Sequence, residues 1–356
     1  MGLSKKKKVL IITSVSIVSF LCLAHVFGGY VGGLIAQEAI FGHRFEMTGD
    51  AIYYTKREDY PALATREEVS FLSGSNTLKG AIYKANNPKG LLVAVHGLQG
   101  SKDDHTSALH DYFLSKDYDV FCFDLTASGE SEGSGVGGLC QSAFDVASSV
   151  KYLATRDDLL LDKTVFLGYS WGAYGVMASL DLELPFFPKA AISFAGFAEP
   201  HSEMIAMAKK YVGGFLADVT AWQMDWAIYT RCGSSGFLSA VDGLRSHPEI
   251  SYFLVQGDKD RTVPLSVSLY QAALDANIPF TGYLREGYKH PSLWRGENAV
   301  ALYKDAKDYY ESLSGESRDV KFEEYLASIG GREAISELDL TLLDDIEKRV
   351  SNALSA

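Results

Sequence analysis

The chain is poor in cysteine, in net positive charge and in sequence of biased composition. Its 356 residues hold four cysteines, too few for a disulfide framework in a protein this size. Cys22 falls in an apolar run and Cys122 in a strand-like run. Cys140 and Cys232 are far apart in sequence, so separate thiols are expected, a Cys140–Cys232 bridge being the alternative. A formal net charge of −12 argues against a nucleic-acid partner, because phosphate binding needs clustered Lys and Arg. With 47% hydrophobic and 22% charged residues and no low-complexity tract, disorder of the main body is excluded. There is no internal repeat, and no glycine-rich phosphate loop of P-loop or dinucleotide type. Asp103, Asp104, His105 and His110 lack a recognised ligand spacing and read as capping or exposed residues. No cofactor and no metal is expected.

What is present begins at the N-terminus. Lys5-Lys6-Lys7-Lys8 precedes an uncharged stretch from Val9 to Gln37 whose core reads VLIITSVSIVSFLCLAHVF. That run reaches the roughly 20 residues a helix needs to cross a bilayer. The lysines should stay cytoplasmic, placing everything after the span outside. A cleaved signal peptide, with Ala24 or Ala36 before the cut and secretion as the result, is the alternative. An uncleaved signal-anchor is preferred, because the run outlasts an h-region of about 7–15 residues.

Residues 1–37 are thus assigned to the anchor and 38–66 to a connector without clear periodicity. From 67 to 314 strands and helices alternate. EVSFLSG and TLKGAIYKA form a hairpin pair about the turn-prone Ser75-Asn76. GLLVAVHG, DVFCFDL, TVFLGYS, KAAISFAG and EISYFLVQGD are short apolar runs suited to strands buried on both faces. Helical patterns separate them, which implies an α/β fold with a mainly parallel sheet covered on both sides. Residues 197–244 break the alternation and are rich in Met and aromatics, including Met204, Met207, Phe215, Trp222 and Trp226. They are expected to form a helical cap over a substrate pocket, the alternative being a plain packing layer. Residues 315–356 have helical patterning and read as a C-terminal extension.

Gly168-Tyr169-Ser170-Trp171-Gly172 matches G-x-S-x-G, and so does Gly129-Glu130-Ser131-Glu132-Gly133. The chemistry needs the serine on a tight turn from a buried strand into a helix. Only the first match has that context, so Ser170 is the candidate nucleophile. The expected order of partners is Ser, then Asp or Glu, then His. Asp260 and His290 each follow a strand at its carboxyl end. An acid there would orient the imidazole, and the imidazole would take the serine proton. An oxyanion hole requires two backbone N–H groups. Trp171 supplies one, and Leu98 in His96-Gly97-Leu98-Gln99-Gly100 the other, with His96 supporting that loop.

Together these residues resemble the α/β-hydrolase superfamily, in its serine esterase, lipase and S33-type aminopeptidase branch. HGLQGSKDDH resembles the family's H-G-x-x-G-x-K loop, and DLTASGESEG its D-x-R-G-x-G-x-S loop. VQGDKDRTVP resembles the G-x-x-D-x-x-V-P acid loop, which selects Asp260 over Asp258. Thr126 stands where the family usually has Arg, and Ala127 where it has Gly, which puts the support of that loop in question. The resemblance spans about Val69 to Leu313. It implies a serine hydrolase acting on a small-molecule ester through an acyl-enzyme. Peptide or amide hydrolysis and acyl transfer use the same machinery, and a peptidase would want acids such as Glu199, Glu203 or Asp225 to hold an amine. The non-enzyme alternative is a membrane-tethered binding protein on an inactive hydrolase fold.

Overall fold

The computed structural model describes residues 4–44, 52–104, 106–315 and 317–355. His105 and the connector residues 45–51 lie outside the described residues. The first two strands, β1 (Glu67–Ser73) and β2 (Asn76–Tyr83), pair as an antiparallel hairpin. They are followed by β3 (Gly90–Val95), β4 (Tyr118–Phe123), β5 (Thr164–Tyr169), β6 (Ala190–Phe194), β7 (Ser251–Gly257) and β8 (Thr281–Arg285). All eight join one sheet in the order β1-β2-β4-β3-β5-β6-β7-β8. β2 runs antiparallel to β4, and every later pairing is parallel. Every residue of β3, β4, β5 and β6 is buried, as unbroken apolar runs require when helices cover both faces.

The helices are α1 (Lys5–Phe41), α2 (Ser107–Ser115), α3 (Gln141–Leu153), α4 (Trp171–Ala178), α5 (Pro200–Val212), α6 (Gly214–Val219), α7 (Ala221–Cys232), α8 (Ala240–Ser246), α9 (Leu269–Asp275), α10 (Glu297–Ser312), α11 (Arg318–Ser328), α12 (Gly331–Ser336) and α13 (Leu340–Ser355). Two core clusters fill the opposite sides of the sheet. One gathers α3, α4 and α8 residues such as Val146, Met177 and Leu244. The other is closed by α13, whose Leu342, Leu343, Ile346, Val350 and Leu354 pack with Leu92, Val120, Ile192 and Phe253. Within the C-terminal segment α13 is therefore a covering layer of the sheet, whereas α11 and α12 pack with α10 in a separate cluster. The apolar residues of α13 recur at helical spacing on one face, and burying that face drives the docking. Tyr118 and Tyr283 from the sheet and Tyr112 from α2 reinforce it by donating to Glu347, Asp345 and Asp344.

Between β6 and β7 the chain forms α5, α6 and α7, then α8. The first three stand out from the sheet as a helical insertion. Ala240–Ser246 does not: it packs on α4 so closely that a Cβ at Gly243 would strike the Met177 carbonyl. The insertion thus closes before α8, earlier than residue 244.

α1 is long, apolar and unburied over its membrane-length window. Its second half nevertheless docks on α7. Tyr30 stacks on Trp226 at 4.1 Å between ring centroids, and Arg231 reaches Glu38 at 2.8 Å. Phe41 is buried, and its carbonyl accepts from the Val136 N–H at 2.8 Å.

Candidate active site

β5 ends at Tyr169 and α4 begins at Trp171, leaving Ser170 alone in the turn with φ 53° and ψ −116°. That conformation is costly for a residue with a Cβ and persists only where the surroundings enforce it. Here the Ser170 N–H donates to the Phe194 carbonyl at 2.8 Å, and its own carbonyl accepts from Tyr174 N–H at 3.0 Å. The flanking glycines follow from space. A Cβ on Gly168 would lie 2.5 Å from the Ala173 backbone, and one on Gly172 would strike the Val95 carbonyl.

His290 follows β8 and Asp260 follows β7, so parallel strands deliver both to the same end of the sheet as Ser170. His290 Nε2 lies 2.9 Å from Ser170 Oγ, and His290 Nδ1 lies 2.7 Å from Asp260 Oδ2. Asp260 is buried, and the acid loop folds around it: Oδ1 accepts from the Thr262 and Val263 N–H groups at 2.8 and 2.9 Å. Asp258 turns elsewhere, accepting from the Gly287 N–H at 2.6 Å and pairing with Lys259. Tyr169 packs beside the imidazole. Its ring centroid is 5.1 Å from that of His290, Trp294 meets it edge-on, and its hydroxyl donates to the His290 carbonyl at 3.3 Å. Sequence patterning had no means of finding Tyr169 and Trp294 in this role.

The His96–Gly100 loop lies against Ser170, since a Cβ on Gly97 would come 3.2 Å from Ser170 Cβ. Leu98 is carried at that edge, half-buried, in a turn closed by Gly100 N–H to Gly97 carbonyl at 3.1 Å. Trp171 opens α4, so its N–H belongs to the first helical turn, which has no carbonyl of its own helix to bond. His96 is buried and accepts from the Leu125 N–H at 3.0 Å, tying this loop to the one after β4.

That second loop contains Ser131, whose hydroxyl donates to the Asp124 carbonyl at 2.5 Å and accepts from Lys79 N–H at 2.9 Å. It serves the loop and is not among the imidazole's two hydrogen-bond partners. Thr126 is held by buried Asp145 through its N–H at 2.7 Å and its hydroxyl at 2.9 Å. Arg44 spans the loop's carbonyls at Gly129, Ser131 and Gly133. The support in question at Thr126 thus comes from Asp145 and Arg44.

The cap residues divide. Met204 is buried and Met207 half-buried, both along a cavity between α1 and the cap. Phe215, Trp222 and Trp226 are 83%, 49% and 48% exposed, Trp226 stacking on Tyr30 of α1, so none of the three is buried over Ser170. Helical periodicity sets which residues share a face, but only packing decides which face turns inward. Of the acids, Asp225 pairs with His201, and Glu199 is the residue before α5. Glu203 is buried, and burial first, then the charge of Asp260, pushes its carboxyl up to about 8. Asp103 is engaged by Arg57 and Arg66, and no group of three metal-ligating side chains occurs among the described residues.

Cys140, just before α3, and Cys232, the last residue of α7, come together in the fold although they are far apart in sequence, and the Cys232 thiol donates to the Gly137 carbonyl at 3.7 Å. A Cβ on Gly138 would lie 2.5 Å from one sulfur and 3.8 Å from the other.

A hydroxyl, an imidazole and a carboxylate in this contact order can transfer the hydroxyl proton to the ring as the oxygen attacks an electrophile. Residues 90–222 match a family model described as alpha/beta hydrolase fold. That span contains Ser170 and ends before Asp260 and His290. Two curated relatives, both uncharacterized proteins YfhR, from Salmonella typhi and Salmonella typhimurium, are 28% identical over 139 residues. The match takes in 37% of this chain and 46% of theirs, so the chain spans about half the length of these relatives. Among solved structures, the Pyrococcus furiosus esterase Pf2001 superposes with a TM-score of 0.52 at 14% identity, over 80% of this chain and 97% of that one. The Pyrococcus horikoshii acylaminoacyl peptidase reaches 0.48 at 16% identity, over 74% of this chain and 40% of that one.

Proposed function

From the premise that the chain has the α/β-hydrolase fold, we propose that it is a serine hydrolase that cleaves a carboxylic ester on Ser170. The observation that carries this reading is His290, which bridges Ser170 Oγ and Asp260 Oδ2 through its two ring nitrogens. In the reaction, Ser170 Oγ attacks the acyl carbonyl while His290 Nε2 takes its proton. The carbonyl oxygen becomes an oxyanion between the Leu98 and Trp171 N–H groups. His290 then protonates the departing alkoxide, leaving an acyl-enzyme. Water, deprotonated by the same imidazole, attacks that acyl group and restores Ser170. Asp260 holds the ring tautomer and stabilises its cation throughout.

Ester is preferred over peptide because two of the three acids that would grip an amine are otherwise occupied. Asp225 is paired with His201, and Glu203 keeps its proton below about pH 8. The second part of the proposal is that α1 remains attached as a membrane anchor with the catalytic domain outside. The docking of its second half on α7 supports this, because cleavage after Ala36 would remove Tyr30 from its stack on Trp226 and cleavage after Ala24 would cut α1 directly before His25, which contacts Gln223.

The test is a panel on the detergent-solubilised full chain: p-nitrophenyl esters of graded length beside aminoacyl-anilides, with Ser170→Ala alongside. Ester turnover lost in Ser170→Ala is the expected result. Turnover that survives the substitution refutes the nucleophile, and preference for anilides moves the chain to the peptidases.

A further inference from the structure

A cavity of about 630 Å³ lies between α1 and the cap, within the roughly 300–1,000 Å³ range of small-molecule sites. One wall is α1 from Ala24 to Ile40; the other includes Met204, Met207, Tyr211, Leu216 and Met224. α1 presents two different glycine edges to it. Gly29 and Gly33 are packed, a Cβ there coming 2.9 Å from Gln223 and 3.0 Å from Ala227. Gly28 and Gly32 have nothing within 4 Å of an added Cβ, so they leave the cavity open along the helix.

The position of this cavity relative to a bilayer follows from helix geometry. At about 1.5 Å per residue, the 19 residues from Val9 to Phe27 span about 28 Å, close to a hydrocarbon core of about 30 Å. Ala24 and Gly28 therefore fall at the bilayer's edge, and Ile40 lies about 24 Å further out. The cap is registered at the same level. His25 contacts Gln223 at 3.2 Å and Tyr30 stacks on Trp226, so Phe215, Leu216, Val219 and Trp222, just before Gln223 in the chain, lie near the end of the span. All four are exposed. Exposed aromatic and aliphatic side chains at that depth match the interfacial belt of membrane proteins. Three methionines on the inner wall adapt to flexible apolar ligands of varied shape.

We propose that this cavity holds the acyl chain of a bilayer lipid, entering sideways from the leaflet that faces the catalytic domain. The occupant is set by location: the mouth opens between a membrane-length helix and an apolar cap surface at the bilayer's edge, within reach of its acyl chains. The proposal rests on α1 being a membrane anchor and is independent of the chemistry at Ser170.

The test uses the full chain in phosphatidylcholine vesicles doped with phosphatidylcholine carrying a diazirine on one acyl chain. After irradiation, peptide mass spectrometry should find label on Met204, Met207 or Tyr211 of α5. Gly28→Leu combined with Gly32→Leu fills the cavity from α1, and Ala208→Leu fills it from α5. Each should reduce α5 labelling at least about tenfold, with circular dichroism reporting that the chain is folded. Unchanged α5 label in both variants, or label confined to residues 9–23, overturns the cavity as a lipid site. Release of the chain from vesicles by alkaline carbonate refutes the anchor instead, and with it the proposal.

Discussion

Asp260 Oδ2 lies 2.7 Å from His290 Nδ1, whereas Asp258, two residues earlier, is spent on the Gly287 N–H and Lys259. The two carboxylates share a loop but not a task. Asp260→Asn would present an amide to Nδ1 and favour the wrong imidazole tautomer. It is expected to cut kcat by about 10⁴, while Asp258→Asn stays within a few-fold of the parent. Steady-state kinetics on a p-nitrophenyl ester decides this, and the reverse ranking would show that the acid was misassigned.

Glu203 makes stability fall as pH rises. Burial, then Asp260, lifts its folded-state carboxyl to about 8, against an ordinary value of about 4.5 when unfolded. Between those two values the folded chain binds the extra proton. The stabilisation is full below pH 4.5 and is lost as pH climbs through 8, by on the order of 1 kcal/mol per pH unit. Thermal melts from pH 5 to 9 should show the parent losing Tm with rising pH and Glu203→Gln losing much less. Parallel curves would mean that Glu203 titrates normally.

Asp145 replaces by hydrogen bonding what an arginine loop would provide. It accepts from Thr126 N–H, Thr126 Oγ1, Ser73 Oγ at 2.7 Å and Gln141 Nε2 at 2.9 Å. Asp145→Ala strands buried donors at about 1–3 kcal/mol each. Urea unfolding should register a loss of several kcal/mol, with Asp145→Asn milder because one oxygen remains. A near-neutral Asp145→Ala would show that water takes over the loop.

The parts of the fold that could be read from sequence are those where local physics decides. β3 to β6 are buried on both faces and so read as unbroken apolar runs. Gly168 and Gly172 sit where a Cβ would strike backbone, so the turn around Ser170 carries its own spacing. The order of Asp260 and His290 follows from parallel strands. Direction was not legible. Phe215 and Trp222 announce an apolar cap without saying that they stay exposed. The helix α13 was legible as a helix, but its place on the sheet depends on partners as distant as Leu92. α1 reads as lipid-facing all round, and nothing in its composition marks Tyr30 for stacking on Trp226.

The same applies to Cys140 and Cys232, which separation in sequence argued apart and folding brings together. The neighbouring Cys140, then Arg231, lowers the Cys232 thiol, while the neighbouring Cys232, then burial, raises Cys140. The thiolate is the reacting form, so Cys232 should alkylate ahead of Cys140 and ahead of buried Cys122, whose thiol burial also raises. With oxidised glutathione as the disulfide donor, Cys232 thiolate would attack it and release one glutathione. Cys140 would then displace the second, closing a bridge between α7 and the start of α3. Peptide mapping with and without reductant should find that one internal bridge, abolished by Cys232→Ser. A glutathione adduct that persists on Cys232 would mean the two sulfurs cannot reach bonding geometry. A closed bridge would tie the cap, and the anchor helix packed on it, to the body that carries Ser170.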